Sequence, residues 1–224
     1  MKKIATLYSG FSEKFGIPRQ SGIIDNPCRI VFEPEFCREE AFRGLESYSH
    51  IWILWEFSEN HNREWSATVR PPRLGGNKRV GVFATRSPFR PNPIGLSCVR
   101  LIDITKENGL ITLLCEGADI LDGTPIYDIK PYVPHCDVKL DAKGGFSDEV
   151  KDYKLTVTFS EQVFDNIEVA IKEHIIKIIE HDPRPSYQHD EERIYGFSYS
   201  GYEVKFIVDS LLQAKILSIT KNMP

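Results

Sequence analysis

The chain has 224 residues, 41% of them hydrophobic and 27% charged, and a formal net charge of −4. That length supports one large or two small domains with real cores, and the balance is that of a soluble globular protein. The most apolar stretch, His50 to Phe57, is too short to span a bilayer, and no apolar signal region follows Met1-Lys2-Lys3-Ile4; five cysteines (Cys28, Cys37, Cys98, Cys115 and Cys136) without a C-x-x-C pair fit reduced thiols in a cytoplasm.

Taken in chain order, the first part predicts strands. Short apolar runs lie at 4–8, 29–32, 51–57, 80–84, 96–104, 110–115 and 126–129, with Gly, Pro, Asn and Asp between them. Many strands and little helix point to a barrel or a sandwich. One helix is expected from Pro34 to about Phe42, with acids near both ends and a Gly44 stop. Between 137 and 152 the chain turns polar, with the pair Gly144-Gly145, and reads as a linker. Beyond it a strand is expected at 153–159, with Ser160 as a helix N-cap. Val163, Ile167, Ile171, Ile175 and Ile179 then recur at helical spacing up to His181, and Pro183 ends the helix. Strands at 203–208 and 214–219 complete a small α+β unit. No G-x-G-x-x-G follows a strand and opens a helix, so a dinucleotide fold has no support.

The most informative stretch runs from Thr85 to Gly95. Pro88, Pro91 and Pro93 fix their own φ and bias Ser87, Arg90 and Asn92 toward extended geometry, which makes a stiff loop that loses little entropy on meeting a ligand. It carries Arg86, Arg90 and Asn92, groups suited to planar contacts with carboxylates, phosphates and base edges. The run Arg79 to Ala84 before it reads as a buried strand. From Trp65 to Ile102 there is no acid, while Arg70, Arg73, Lys78, Arg79, Arg86, Arg90 and Arg100 supply +7, leaving −11 for the rest of the chain. Such asymmetry favours an anionic ligand over a basic face paired within the protein.

Four other features bear on chemistry. Asp122-Gly123-Thr124-Pro125 reads by itself as a tight hairpin turn, yet it runs into Tyr127, Asp128 and Lys130, which offer stacking and polar groups. Pro18-Arg19-Gln20 reads by itself as a surface loop. The basic, Pro- and Gly-containing stretch from Arg70 to Lys78 suits a phosphate-tracking lid and, equally, an exposed linker. In Asp182-Pro183-Arg184-Pro185-Ser186-Tyr187, Arg184 and Tyr187 are groups that grip a nucleotide by charge and stacking, against a plain helix stop with a packed tyrosine. No histidine pair has helical chelate spacing and His135-Cys136 is adjacent, so no metal site is expected. The residues alone describe an anion-binding β protein with RNA as a candidate ligand.

The run Val69 to Asn77 followed by Gly81 to Gly95 closely resembles the TrmO (TsaA-like) tRNA methyltransferases, and Asp122 to Pro125, Asp128 to Tyr132, Pro18-Arg19-Gln20 and Asp182 to Tyr187 match the same family. The resemblance implies a β-barrel catalytic domain without a Rossmann fold over 1–138 and a small α+β domain, tRNA-related, over 150–224. It implies transfer of a methyl group from S-adenosylmethionine to N6 of N6-threonylcarbamoyladenosine beside the anticodon, by a cytoplasmic homodimer. Carried over by motif, the cofactor site comprises Pro18, Arg19, Gln20, Ser58, Glu59, Arg86, Leu96, Asp122, Gly123, Thr124 and Pro125. One position departs: many relatives have His followed by Lys or Gln where this chain has Ser58-Glu59, with His61 close behind. Asp122, Tyr127 and Asp128 are candidates for the catalytic proton acceptor. Arg70, Arg73, Lys78, Arg90, Asn92, Lys130, Arg184 and Tyr187 are candidates for tRNA contact. The rival class is a non-catalytic RNA- or nucleotide-binding module.

Overall fold

The computed structural model describes residues 1–60, 64–74, 78–185 and 190–222. In chain order its strands are β1 (Ala5–Tyr8), β2 (Pro27–Phe32), β3 (His50–Glu56), β4 (Thr68–Val69), β5 (Val80–Gly81), β6 (Ile94–Glu107), β7 (Leu110–Glu116), β8 (Thr124–Pro131), β9 (Thr156–Thr158), β10 (Tyr195–Tyr199), β11 (Tyr202–Val208) and β12 (Gln213–Lys221). Six of them close a barrel in the order β1-β2-β7-β6-β3-β8. Alternation decides which face turns inward: in β7 the residues Ile111, Leu113 and Cys115 are buried, and in β3 Ile51, Ile53 and Trp55 are. Ala5, Leu7, Ile30, Val99 and Ile126 join them in one core. Register shifts at Leu54/Trp55 and at Leu101/Asp103 bend the strands where the barrel must curve. The fold is mainly β, with a closed barrel followed by a small α+β unit, as the sequence predicts.

The second unit is the sheet β10-β11-β12-β9, with one short helix pair before it, α1 (Pro134–Asp137) and α2 (Phe146–Glu149), and the longer α3 (Val169–Glu180) within it. β9 runs parallel to β12, and α3 lies in the connection between them. Ile175, Ile178 and Ile179 of α3 pack on Tyr195, Phe197, Val204 and Phe206 of the sheet. Two residues from the other end of the chain, Phe11 and Ile24, are buried in this same core. The loop between β1 and β2 therefore fills a gap between the barrel and the second sheet. Gly16 is pressed there against the Phe197 ring at φ +97, and a Cβ at that position would lie about 2.9 Å from the ring.

Three local expectations are corrected. The segment from Pro34 to Phe42 is no helix but a series of 3-10 turns at Pro34–Phe36, Glu39–Ala41 and, after Gly44, Leu45–Ser47. It has no apolar stripe at helical spacing, and its one buried anchor is Phe42, set edge-on to Phe32 at 4.7 Å. The strand expected through Ala84 ends at Gly81, and Val82–Ala84 is a 3-10 turn that buries Val82 and leaves Phe83 72% exposed. Ser160 caps only a 3-10 turn, Glu161–Phe164, without a side-chain hydrogen bond, because Asn166 at φ +62 breaks the helical path before α3 starts. A fourth difference is topological. The Asp122-Gly123 turn joins no hairpin, since β8 pairs with β1 and β3 and not with β7.

His174 of α3 lies buried with Nδ1 2.8 Å from the Tyr199 hydroxyl. Burial first, then Lys177, pushes the imidazole pKa below its ordinary value near 6.5, and burial with Lys154 and Arg73 does the same to His181. As pH falls through 6.5 the unfolded chain takes up protons that the folded chain resists, so the stability present above that pH is progressively lost below it. The urea midpoint should fall between pH 7 and pH 5, and His174→Asn should flatten part of that fall. An unchanged pH profile in the variant would show that His174 carries none of it.

Candidate active site

A cavity of about 470 Å³ opens at one end of the barrel, bounded by the β1–β2 loop, the end of β3 and the stiff proline loop. This is the volume range of small-molecule and cofactor sites. Each wall has a reason in the sequence. Gly95 pairs with Trp55 across β6 and β3, and the indole lies so close over it that any Cβ there would overlap the ring. The glycine after Pro93-Ile94 thus lets Trp55 lie flat at the cavity floor. The indole Nε1 donates to the Ser97 hydroxyl at 2.9 Å, and that hydroxyl donates to Asp119 at 2.5 Å. Burial is the main influence on Asp119 and raises its carboxyl pKa; the Ser97 bond, backbone N–H groups and the Arg86 charge pull the other way.

The proline loop closes on itself. Arg90 donates to the carbonyls of Val82 at 3.2 Å and Thr85 at 2.6 Å, and its guanidinium lies 5.6 Å from the Phe83 ring centre. Arg90 lines the cavity as well, so its guanidinium braces the loop from inside rather than standing free on the surface. Arg86 is exposed and donates to the Gln20 side-chain oxygen, which ties the proline loop to the β1–β2 loop.

Of the residues carried over from the family motif, Pro18, Arg19, Gln20, Ser58, Glu59, Arg86, Leu96 and Thr124 all line this one cavity. Glu59 is paired with Lys14 at 2.9 Å, also on the cavity wall. Asp122, Gly123 and Pro125 lie beside it in the turn, where Asp122 accepts the Ser9 N–H at 2.9 Å and Gly123 has φ +75. Among the three proton-acceptor candidates, Asp128 is paired with Lys130 at 2.8 Å and accepts the Ile129 N–H at 3.0 Å. Tyr127 donates its hydroxyl to Glu56, a buried residue that lines the cavity.

The candidates for tRNA contact fall into separate groups. Arg70 and Lys78 are exposed at either side of the β4–β5 ribbon, and Asn92 is exposed on the proline loop. Lys130 is exposed in its pair with Asp128. Arg73 turns back to the second unit, donating to the Val150 carbonyl at 3.2 Å and lying 3.4 Å from His181 Nδ1. Arg184 is 8% exposed and locked to Asp182. Tyr187 and His61 lie outside the described residues.

Sequence reasoning missed Glu56, Trp55 and Asp119 as cavity residues, and Ser97 as the hydroxyl that links Trp55 to Asp119. Two of them left a trace: Glu56 is the one charge in the apolar run from Ile51 to Phe57, and Asp119 is a single acid between Gly117-Ala118 and Ile120-Leu121. A lone carboxylate in an apolar stretch must find a partner or line a site. Among the described residues no group of three His, Cys, Asp or Glu side chains could hold a metal ion, and no helix is long and apolar enough to cross a membrane.

Fold and cavity together define a closed-barrel protein with a cavity of small-molecule size beside a basic, proline-stiffened loop. The family model for the tRNA-methyltransferase O N-terminal domain matches residues 6–138, and that for the TrmO C-terminal domain matches residues 152–222. The chain belongs to the TrmO family. It is 38% identical over 198 residues to the tRNA (adenine(37)-N6)-methyltransferase of Escherichia coli K12, covering 85% of this chain and 84% of that protein. It is 44% identical over 164 residues to the enzyme of the same name from Eikenella corrodens, covering 73% of this chain and 92% of that one. The crystal structure of TrmO from Pseudomonas aeruginosa superposes with a TM-score of 0.76 at 33% identity, covering 98% of this chain and 95% of that one.

The Gly95–Trp55 contact is testable. Gly95→Ala must displace the indole or the strand, and overpacking of this kind costs about 1–3 kcal/mol. The urea midpoint should drop accordingly, with a change in tryptophan emission as the bond to Ser97 is lost. A variant with wild-type midpoint and emission would mean that the floor is not packed this way.

Proposed function

We propose that this chain transfers a methyl group from S-adenosylmethionine to N6 of adenine 37 in tRNA, with N6-threonylcarbamoyladenosine as the acceptor nucleoside. The observation that carries this reading is the convergence of the family's cofactor motif residues on a single cavity of cofactor size, in a chain whose relatives bear the name tRNA (adenine(37)-N6)-methyltransferase. The residues present fit the cofactor. Ile17, Pro18, Leu96 and Leu121 offer apolar walls, Gln20, Thr124 and Arg86 offer polar contacts, and Asp119 offers a half-buried carboxylate to a cationic or hydroxyl group.

S-adenosylmethionine supplies an activated methyl group on sulfur. The chain's own residues then do what remains: hold the donor, align the acceptor nitrogen and take its proton. Alignment is the larger contribution in a displacement of this kind, and a loop already stiffened by three prolines and the Arg90 bonds is preorganised for it. For the proton, the Tyr127–Glu56 pair is the best placed of the candidates, because Glu56 lines the cavity whereas Asp122 and Asp128 are outside its lining and engaged with backbone N–H groups. The exposed cations Arg70 and Lys78, with Asn92 and Lys130, form the proposed tRNA-facing surface. Exposed Phe83 and Ile102 are apolar groups available to a second copy of this chain, and the reading places the enzyme in the cytoplasm with its tRNA.

The deciding experiment is mass analysis of tRNA nucleosides after incubation with purified protein and labelled cofactor. A methylated threonylcarbamoyladenosine is expected, with unmodified tRNA a poor substrate because polar groups aimed at the threonyl carboxylate would be left unpaired. Binding of tRNA without any methylated nucleoside would instead establish the non-catalytic module. Removing the charged contact in Arg86→Ala should weaken S-adenosylmethionine binding by about 1.5–3 kcal/mol, and unchanged affinity by calorimetry would remove Arg86 from the cofactor site. Neutralising Arg70 and Lys78 together should flatten the salt dependence of tRNA binding by about two phosphate contacts while leaving cofactor affinity intact. Identical slopes would place the RNA footprint elsewhere.

A further inference from the structure

The Asp182-Pro183-Arg184-Pro185 segment at the end of α3 is built as a rigid knot. Asp182 stands at φ +48, a conformation that costs a non-glycine residue energy unless its surroundings impose it. They do so here. Arg184 grips the Asp182 carboxylate with Nε at 2.8 Å and Nη2 at 3.0 Å, and the Tyr153 hydroxyl donates to the same carboxylate at 2.8 Å. The Arg184 guanidinium also lies 5.6 Å from the Tyr195 ring centre. Burial would push the carboxyl pKa up and the guanidinium pKa down, but the mutual contacts outweigh it, leaving the carboxyl below and the guanidinium above their ordinary values. The edge of the guanidinium formed by Nε and Nη2 is thereby committed to Asp182.

Toward Arg19 the knot presents backbone. The carbonyls of Asp182 and Arg184 both accept from Nη2 of Arg19, at 2.8 and 3.2 Å. Arg19 is itself half-buried; burial and the nearby Arg73 lower its pKa, so these two acceptors and the Asp182 charge are what keep the guanidinium in place. Pro18, Arg19 and Gln20 form one wall of the cavity, and Gln20 accepts from Arg86 on the facing loop.

We propose that Asp182, Arg184 and Tyr153 are positioning residues for the cofactor wall: they fix the two carbonyls that hold Arg19, and through Arg19 they set Pro18 and Gln20. This rests on the reading of the cavity as the S-adenosylmethionine site. The second unit then serves the methyl donor as well as the RNA, and the proline-arginine motif acts from within the protein.

The test is calorimetric binding of S-adenosylmethionine to the full chain, wild type and variants, with tRNA affinity measured alongside. Arg19→Ala and Asp182→Asn should each weaken cofactor binding roughly tenfold, the loss expected for one charge-assisted contact. Tyr153→Phe, which removes one hydroxyl outside the cavity lining, should weaken it roughly threefold and serves if Asp182→Asn does not fold. The decisive readout is the double variant Arg19→Ala with Tyr153→Phe. It should bind no worse than Arg19→Ala alone, since the tyrosine acts only through Arg19. Affinity for tRNA should be unchanged in Tyr153→Phe. Full cofactor affinity in Tyr153→Phe, a further multiplied loss in the double variant, or a loss confined to tRNA binding would each overturn the proposal, the last in favour of direct RNA contact. A wild-type chain that binds no S-adenosylmethionine would instead overturn the functional reading on which it rests.

Discussion

The loop from Ser9 to Asn26 is gripped from both sides, and the shape of the cavity depends on that grip. It leaves β1, buries Phe11 and then Ile24 in the core of the second sheet, and returns to β2. Backbone bonds hold it at either end: Ser200 N–H to the Gly10 carbonyl at 2.9 Å, and Gly22 N–H to the Gly117 carbonyl at 2.9 Å. Between these anchors Gly16 touches Phe197 and Arg19 reaches the carbonyls after α3. Pro18, Arg19 and Gln20 are thereby held against a surface made by neither unit alone. A free loop of this length would lose entropy on every binding event; here the cost is met once, on folding.

The electrostatics of the cavity follow from the same arrangement. Basic side chains gather on the proline loop, while two carboxylates, buried Glu56 and half-buried Asp119, sit at the barrel end. Each carboxylate accepts a hydroxyl hydrogen bond, Glu56 from Tyr127 and Asp119 from Ser97. A neutral donor of this kind helps satisfy a carboxylate withdrawn from water without cancelling its charge. A sulfonium donor and an acceptor nitrogen that must shed a proton are both served by negative charge held in place in this way.

Much of the barrel was legible in the sequence because alternation and turn residues mark strands in short range, as in the run from Leu110 to Cys115. The proline loop was legible for the same reason, since its stiffness comes from its own residues. The strand Tyr195–Tyr199 was overlooked although Tyr195, Phe197 and Tyr199 alternate with small residues. The rear wall of the cavity was not legible. It depends on contacts between residues 163 and 165 positions apart, and the acceptors are backbone carbonyls, which any residue could supply. The helix expected at Pro34 failed because acids and a glycine stop resemble helix punctuation even where no apolar stripe exists to hold a helix down.

Hydrogen exchange with and without S-adenosylmethionine addresses the shared cavity directly. Binding there should slow exchange of the amides at Arg19, Gln20, Thr85 to Leu96 and Thr124, and the protection should extend to Asp182 and Arg184 in the second unit. Protection limited to the barrel would contradict a cavity held jointly by the two units, and protection away from the proline loop would contradict the cofactor site itself.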